Sequence, residues 1–337
     1  MTRILAVLAV VSAAAAQPPR VGDINFYGLH KVPPERILNT LKLRSGDPIP
    51  PSKGELEDRI GKIPGVVLAQ VEAICCEGAD AVLFIGVEEK GAPHAAFGSE
   101  PAGAAVLPDD LTASYREFLG AVERAAREGN ASEDLTAGHS MMVDPEARAF
   151  QERFLTFAAE NVALLRDVAR NAADPEQRAV AAAVIGYAPK KVEIVNDLQA
   201  ALQDPDASVR ANAIRSLSAF AVLAAKQPNL GIRIQPTWFI EMLNSIVLSD
   251  RVESAKALLI LTDNGDRTAL DRIREKGLPA LAEMARWKTL RYALPPFLLL
   301  GRVAGLPEEQ IHRRWETGQR ETVIQQAFGP PAKKRGG

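Results

Sequence analysis

The spacing of apolar residues changes several times near the start of the chain. Ile24 and Phe26 share one face of a first predicted strand, because successive side chains of a strand point to opposite sides. Two short apolar stripes with helical spacing follow. Two alternating runs, Val66 to Ile74 and Ala81 to Val87, then predict a hairpin. The predicted order is strand, helix, helix, strand, strand.

Residues that begin helices support the same order. Pro33-Pro34 stands where a helix can start, since proline is tolerated in a first turn. Ser52 and Glu55 form the capping box of a second helix. Two amphipathic helices on one face of a small sheet can bury both apolar sets. The pattern therefore predicts an α+β domain.

Helical periodicity dominates the rest of the chain. Several helices are predicted to begin at an aspartate, often followed by proline: Asp144, Asp174, Asp204 and Asp250. Their spacing is uneven, as in degenerate repeats of helix pairs, in which each pair buries its apolar stripe against the next. We expect three or four pairs, with a compact helical bundle as the competing architecture.

The first module resembles a POTRA domain, which is found ahead of outer-membrane barrels and in some division and secretion proteins. The matching motifs are, in order, Ile24-x-Phe26-x-Gly28, Leu43-x-x-Gly46-Asp47-Pro48, Ile63-Pro64-Gly65-Val66 and Leu83-x-Ile85-x-Val87-Glu88. No barrel-like β sequence follows them. The resemblance implies that the module binds other proteins by strand addition or in a groove between sheet and helix.

The second half contains a stretch that looks like a HEAT repeat, Asp204-Pro-Asp-x-x-Val209-Arg210-x-x-Ala213. In repeats of this kind an aspartate and an arginine six positions apart often bond to neighbouring units. Asp204 and Arg210 have that spacing, whereas Asp174 and Arg178 do not. The resemblance implies a structural ladder at Asp204 and Arg210, and a helical solenoid that offers a second binding surface.

These patterns divide the chain into five predicted parts. They are a signal peptide at 1–16, a POTRA-like domain at 20–90, a flexible linker at 91–108, HEAT-like repeats at 109–312, and a terminal helix with a basic disordered tail at 313–337. The predicted fold class is a small β-α-α-β-β domain, α+β in type, followed by an all-α solenoid.

The strand from Val66 to Ile74 carries the predicted partner site. At a sheet edge, as in similar domains, its N–H and C=O groups would form a template for an extended segment of a partner. Leu68, Gln70 and Glu72 would then lie near the bound segment. The alternative is an edge that is merely solvated and protected by Glu72, because natural sheet edges usually carry such charges.

The first residues predict export. Arg3 gives a positive start, Ile4 to Val11 is an apolar run, and Ala14 to Ala16 offers a small-residue cleavage site. The run falls short of the roughly 20 apolar residues that span a bilayer. We expect cleavage near Ala16 and a periplasmic protein. An uncleaved segment that anchors the protein in the inner membrane is the alternative.

The net charge of the chain limits the classes of partner that the sequence supports. The formal net charge of −2 over 337 residues provides no basic field for nucleic acid. Arg313-Arg314 and Lys333-Lys334-Arg335 indicate a solvated helix face and tail, with peripheral contact to an anionic surface as the alternative. The expected partners are other envelope proteins, including components of outer-membrane assembly.

The chain has two cysteines, Cys75 and Cys76, which are neighbours. A bond between them requires a strained ring, because consecutive Cα atoms lie only about 3.8 Å apart. Free thiols are therefore favoured over a vicinal disulfide or an intermolecular bridge.

The sequence contains no recognisable catalytic, metal or cofactor motif. The histidines lack ligand spacing, and no G-x-S-x-G surrounds Ser140; they are His30, His94, His139 and His312. We therefore predict a non-enzymatic protein-binding scaffold without cofactor. A secreted hydrolase whose site is assembled from distant residues is one alternative. An architectural protein tethered to an outer-membrane assembly is another.

Overall fold

A computed structural model describes residues 19–77 and 80–329, except the side chains of residues 76 and 77. The predicted signal peptide at 1–16 and the basic cluster at 333–335 lie outside these residues. Of the helices in the described part of the chain, none is both long and apolar enough to cross a membrane.

The first module has the strand and helix order that the sequence predicts. Its elements are β1 (Val21–Tyr27), α1 (Pro34–Leu41), α2 (Lys53–Gly61), β2 (Val66–Glu77) and β3 (Asp80–Glu89). The strand order is β1-β3-β2, with β1 parallel and β2 antiparallel to β3. Among the described strands β2 therefore has a single neighbour, and its other side is an edge of the sheet.

Local chemistry explains why α1 and α2 form. Pro33 and Pro34 open α1, and the Ser52 side chain caps α2 by accepting a hydrogen bond from the Glu55 N–H. Both helices lie on one face of the sheet. Their apolar residues form one core with that face, which includes Ile37, Leu41, Leu56, Ile60, Ala69, Val71 and Ile85.

After β3 the regular elements of the described chain are helices and one short hairpin, β4 (Glu133–Asp134) and β5 (Met141–Met142). The helices are α3 (Asp109–Arg127), α4 (Pro145–Glu160), α5 (Val162–Asn171), α6 (Pro175–Ile185), α7 (Lys191–Ala201), α8 (Ala207–Lys226), α9 (Thr237–Met242), α10 (Leu248–Leu261), α11 (Arg267–Lys276), α12 (Leu278–Ala285), α13 (Leu290–Val303), α14 (Glu308–Glu316) and α15 (Arg320–Phe328).

Most of these helices form a stack of pairs. Helices α6, α8, α10, α13 and α15 pack in succession, and each also contacts a partner, namely α5, α7, α9, α11 and α14. Within the described residues the stack thus has five pairs, more than the three or four expected. The two C-terminal pairs follow the last helix start that the sequence predicts, Asp250, which itself lies within the first turn of α10.

Buried arginines connect consecutive pairs. Arg178 donates to the Ala172 carbonyl at 2.9 Å and to the Asp204 carboxylate at 2.8 and 3.0 Å. Arg210 repeats this arrangement, donating to the Asp204 carbonyl at 2.8 Å and to the Asp250 carboxylate at 2.7 Å. Asp204 and Arg210 therefore bond to neighbouring pairs, and Arg178 joins the same ladder although its spacing to Asp174 differs.

The ladder ends on the first module. Arg251 donates to the Ser245 carbonyl at 2.6 Å and lies 3.3 Å from the Glu283 carboxylate. Glu283 in turn accepts a hydrogen bond of 3.0 Å from the Gly28 N–H, just after β1. Gly28 has a φ of +76°, and a Cβ there would lie 2.2 Å from the Val87 carbonyl oxygen. Glycine is thus required at this junction.

Aromatic rings fill the interface between the sheet and the stack. Phe84 of β3 lies 5.1 Å from Trp287 and 5.6 Å from Tyr292 between ring centres, and Tyr27 lies 6.1 Å from Trp287. The Trp287 Nε1–H donates to the Phe26 carbonyl at 2.9 Å. The face of the sheet opposite α1 and α2 is therefore packed on the helical half.

The predicted flexible linker at 91–108 is instead an extended strap bonded across the stack. The Gly98 and Gly103 N–H groups donate to the Gln203 and Asn171 carbonyls, both at 2.7 Å. The Phe97 ring lies 3.7 Å from the guanidinium carbon of Arg210. The composition of this segment indicated flexibility because its glycines and alanines show no periodic alternation of apolar and polar residues. In the structure Gly98 and Gly103 instead allow two backbones to come into close contact.

The expectation of free thiols is wrong for Cys75, which is disulfide-bonded. Cys75 lies exposed near the end of β2, so its sulfur is not sheltered in the core. The side chain of Cys76 lies outside the described atoms.

Candidate protein-binding edge of the sheet

The outer edge of β2 presents backbone groups to the outside of the sheet. The register with β3 is regular from Leu68 to Ile74. Backbone groups of an antiparallel strand point alternately toward and away from the neighbouring strand. The Val71 N–H donates to the Glu57 side chain at 2.8 Å and not to β3. Ala69, Val71 and Ala73 therefore have the outward orientation.

Two side chains of α2 cover the middle of this edge. Glu57 accepts the Val71 N–H, and Lys53 lies 2.7 Å from the Glu72 carboxylate and 3.8 Å from that of Glu57. The Lys53 side chain is 48% exposed and that of Glu57 is 25% exposed. An incoming strand would have to displace these two side chains and their contacts with β2. Such charges are the usual protection of a sheet edge.

The predicted contact residues lie on the face of the sheet away from α1 and α2. Leu68 is 49% exposed, while Gln70 and Glu72 are half-buried. The Gln70 amide donates to Glu72 at 3.2 Å. An irregularity in the register between Val66 and Leu68 also leaves Val67 60% exposed. One end of the edge is therefore apolar and accessible, and the middle is polar.

A groove of about 350 Å³ lies below the other end of this edge, between β2 and the helical half. Its apolar walls are Ile74 of β2, Val247 just before α10, Val252 of α10 and Tyr292 of α13. No signal in the sequence indicated this groove, because its walls come from segments separated by more than 170 residues.

The loop after β1 is held by a buried carboxylate. The backbone N–H groups of His30, Lys31 and Val32 all donate to Glu89, at 2.8 to 3.0 Å. Burial alone would raise the pKa of Glu89, but these three donors outweigh it and lower the pKa below its ordinary value. Glu89 therefore keeps the start of the module rigid next to the junction at Gly28.

A polar cluster surrounds His139 and Ser140, the residues nearest to a hydrolase motif. Ser140 Oγ donates to Glu133 at 2.5 Å, and Arg215 pairs with the same carboxylate. The His139 ring packs 5.7 Å from Tyr187, and burial, with Lys191 nearby, lowers the pKa of His139. The cavity there measures about 20 Å³, room for about one water molecule. These contacts dock the β4–β5 hairpin on the stack.

Across residues 19–77 and 80–329, no group of three or more His, Cys, Asp or Glu side chains is arranged to hold a metal ion.

Comparison with known proteins identifies one segment. Residues 162–228, which contain α5 to α8, match the family model of HEAT repeats. No curated protein matches the chain. HEAT repeats typically serve protein–protein interaction and are typically non-catalytic. The helical-repeat half of this protein therefore has the character of an interaction or scaffold module.

Proposed function

We propose that this protein is a non-enzymatic scaffold of the bacterial cell envelope. Its POTRA-like first module binds other envelope proteins, including components of outer-membrane assembly, by strand addition along β2. The helical repeats hold this module in position and offer a second binding surface. The observation that carries the proposal is the outward orientation of the Ala69, Val71 and Ala73 backbone at the edge of the sheet.

Site-specific crosslinking in cells tests strand addition. A photoreactive residue at Leu68 or Gln70 should give partner adducts, because both lie beside the segment that would pair with β2. A photoreactive residue at Leu119, which is 47% exposed on α3, is the matched control. Adducts at Leu119 with none above background at Leu68 and Gln70 would contradict recognition at the edge.

A backbone variant separates strand addition from ordinary side-chain contact. Ala73 is exposed, and its N–H points out of the sheet, so Ala73→Pro removes an edge donor while proline remains compatible with an edge strand. The Leu68 adduct should disappear in Ala73→Pro and persist in Ala73→Thr, which keeps the N–H. Equal adduct in both variants would exclude main-chain recognition.

Export to the periplasm is the second part of the proposal. It is supported by the apolar run from Ile4 to Val11 and the small residues before Gln17. Fractionation with sequencing of the mature N-terminus should find a periplasmic protein that begins near Gln17. A membrane-bound product that retains Met1 would favour the inner-membrane anchor, and a cytoplasmic product would reject export.

A further inference from the structure

The strap at 91–108 shows how an extended segment binds to the helical stack. The Gly98 and Gly103 N–H groups donate to the Gln203 and Asn171 carbonyls, and each of these carbonyls lies seven residues before a ladder arginine. Consecutive helix pairs therefore offer equivalent carbonyls at the side of the stack. An extended chain that follows them meets one carbonyl at every fifth residue.

A third carbonyl of the same kind lies beyond the part that the strap uses. Asn244 is seven residues before Arg251, the third arginine of the ladder. Counting back five residues from Gly98 leads to Pro93, which has no N–H to donate. The Asn244 carbonyl accepts no backbone N–H from the described residues. Since Pro93, Asn244 and Arg251 all line one cavity of about 760 Å³, there is room for a donor at this position.

Side chains along the strap define which sequences fit this surface. The Phe97 ring, directly before Gly98, lies 3.7 Å from the guanidinium carbon of Arg210, and such contacts are favourable by about 0.5–2 kcal/mol. A Cβ at Gly103 would lie 2.4 Å from the Asn171 carbonyl oxygen. The surface therefore fits an aromatic residue followed by glycine, with a second glycine five residues later.

Few contacts hold the strap in place. Leu107 is its one buried residue, and the other residues from 91 to 108 are exposed or half-buried. Its backbone makes three hydrogen bonds with backbone groups of the stack, through Gly98 and Gly103, and the Leu107 N–H donates to the Gln177 side chain at 2.7 Å. Segments with little buried surface open at a low cost in free energy. A competing segment can therefore replace the strap while the stack stays folded.

We infer that the Asn171, Gln203 and Asn244 carbonyls form a binding surface for an extended segment of another protein, which the strap covers as an autoinhibitory contact. The partner segment carries the aromatic residue and two glycines of the strap, and an N–H five residues before the first glycine. This third donor gives the partner a hydrogen bond that the strap lacks. The inference rests on the second binding surface of the proposed function and is independent of strand addition at β2.

A separate strap peptide added to the full chain tests this inference. The probe is a fluorescent peptide with the sequence of residues 90–108. The double variant Phe97→Ala, Gly103→Ala releases the chain's own strap, and Leu119→Ala, Gly54→Ala is the matched control at exposed positions. In fluorescence anisotropy the probe should bind the released variant at least about tenfold more tightly than the unmodified chain or the control, because a tethered strap competes at millimolar effective concentration. Circular dichroism and urea unfolding establish that the variants fold.

Two altered peptides test the recognised groups. A peptide with N-methylglycine at the positions of Gly98 and Gly103 lacks both N–H donors, so it should bind about tenfold or more weakly. A peptide with Pro93→Ala supplies a donor for the Asn244 carbonyl and should bind about fivefold more tightly than the probe. An unchanged affinity of either peptide would contradict recognition of this row of carbonyls.

The unmodified chain provides a second measurement that does not depend on folding of the released variant. At millimolar concentration the unlabelled peptide should increase hydrogen exchange of the Gly98 and Gly103 amides, followed by nuclear magnetic resonance of the isotope-labelled chain, and the N-methylated peptide should not. Equal binding of the probe to the released and unmodified chains, or unchanged exchange, would overturn the inference. Adducts at Leu68 and Gln70 report on the β2 edge alone, so failure of this surface and failure of strand addition are distinguishable.

Discussion

Arg210 is a charged side chain that is only 1% exposed, and its surroundings explain how the stack accommodates it. Its donors meet the Asp250 carboxylate and the Asp204 and Pro205 carbonyls, and Phe97 covers its face. These hydrogen bonds replace the ones that the Arg210 guanidinium would make with water. Burying an ion pair costs free energy because both charged groups lose their contact with water. Removing one partner then leaves an uncompensated buried charge.

Arg210→Met should therefore destabilise the protein strongly. We expect a loss of about 3–5 kcal/mol in the free energy of unfolding, because Asp250 would remain buried without its cation. Urea unfolding measures this loss in the free energy of unfolding. Arg127→Met is the control, since the Arg127–Glu123 pair is 69% and 71% exposed and such pairs contribute about 0–1 kcal/mol. Equal effects of the two substitutions would contradict this account.

Lys191 is a buried amine whose charge depends on pH. Its Nζ donates to the Gly186 carbonyl at 2.7 Å, and burial lowers the pKa of Lys191 from its ordinary 10.5 to about 8. Between these values the unfolded chain binds a proton that the folded chain does not. The free energy of unfolding should then rise with pH in this window, by on the order of 3 kcal/mol in total.

The variant Lys191→Met isolates this contribution. The difference in free energy of unfolding between the original chain and Lys191→Met should change between pH 8 and pH 10.5 and stay constant below pH 7, where both states of Lys191 are protonated. Lys190→Met, at an exposed position, should show no such change. A pH-independent difference for Lys191→Met would mean that the amine titrates normally.

At the scale of elements, the strap at 91–108 joins two parts of the stack. Gly98 and Gly103 bond to carbonyls that each precede a ladder arginine by seven residues, Gln203 before Arg210 and Asn171 before Arg178. The strap thus contacts equivalent positions of consecutive helix pairs. Tyr27 covers Arg251 at 4.8 Å much as Phe97 covers Arg210. Aromatic cover of these arginines is favourable in both cases.

Gly103→Ala should release the strap. A Cβ at Gly103 would lie 2.4 Å from the Asn171 carbonyl oxygen, so the two hydrogen bonds between Gly103 and the loop at 171–173 cannot form. Hydrogen exchange of the strap amides should increase about tenfold or more, corresponding to a loss of at least 1.4 kcal/mol of protection. Gly54→Ala, where a Cβ meets nothing within 4 Å, is the control. Unchanged exchange at Gly98 and Leu107 in Gly103→Ala would contradict this prediction.

At the scale of the whole molecule, the sheet and the stack share one interface. Besides the aromatic rings, the Asn25 amide donates to Thr289 at 3.0 Å and accepts from the Lys288 N–H at 2.8 Å, and the Tyr27 hydroxyl donates to the Ile246 carbonyl at 2.8 Å. These contacts fix the edge of β2 relative to α10. The groove between β2 and α10 is therefore fixed by the interface between the sheet and the stack.

The two halves should unfold as one cooperative unit. In urea, tryptophan fluorescence and far-UV circular dichroism should give coincident transitions. Trp287→Ala removes two ring contacts and the hydrogen bond to Phe26, so its transitions should separate into two. Trp238→Ala, on α9 and away from the sheet, should lower stability without this separation. Two transitions in the unmodified chain would show that the interface is weak.

The order of strands and helices in the first module, and the starts of several later helices, follow from the sequence alone. A period of two marks β1, β2 and β3, and capping residues such as Ser52, Asp144 and Asp174 satisfy local N–H groups. These features depend on neighbours within a few residues. Local chemistry therefore determines them before any distant contact forms.

Only the tertiary structure decided which side chains cover the edge of β2 and which arginines join the ladder. Glu57 lies on the edge because α2 packs beside β2, and the groove arises because the segment from Val247 to Val252 meets Ile74 across the fold. Arg178 joins the ladder because its carboxylate comes from the next pair of helices. Such contacts depend on how separate elements pack against one another, and the pattern of residues within one element does not specify that packing.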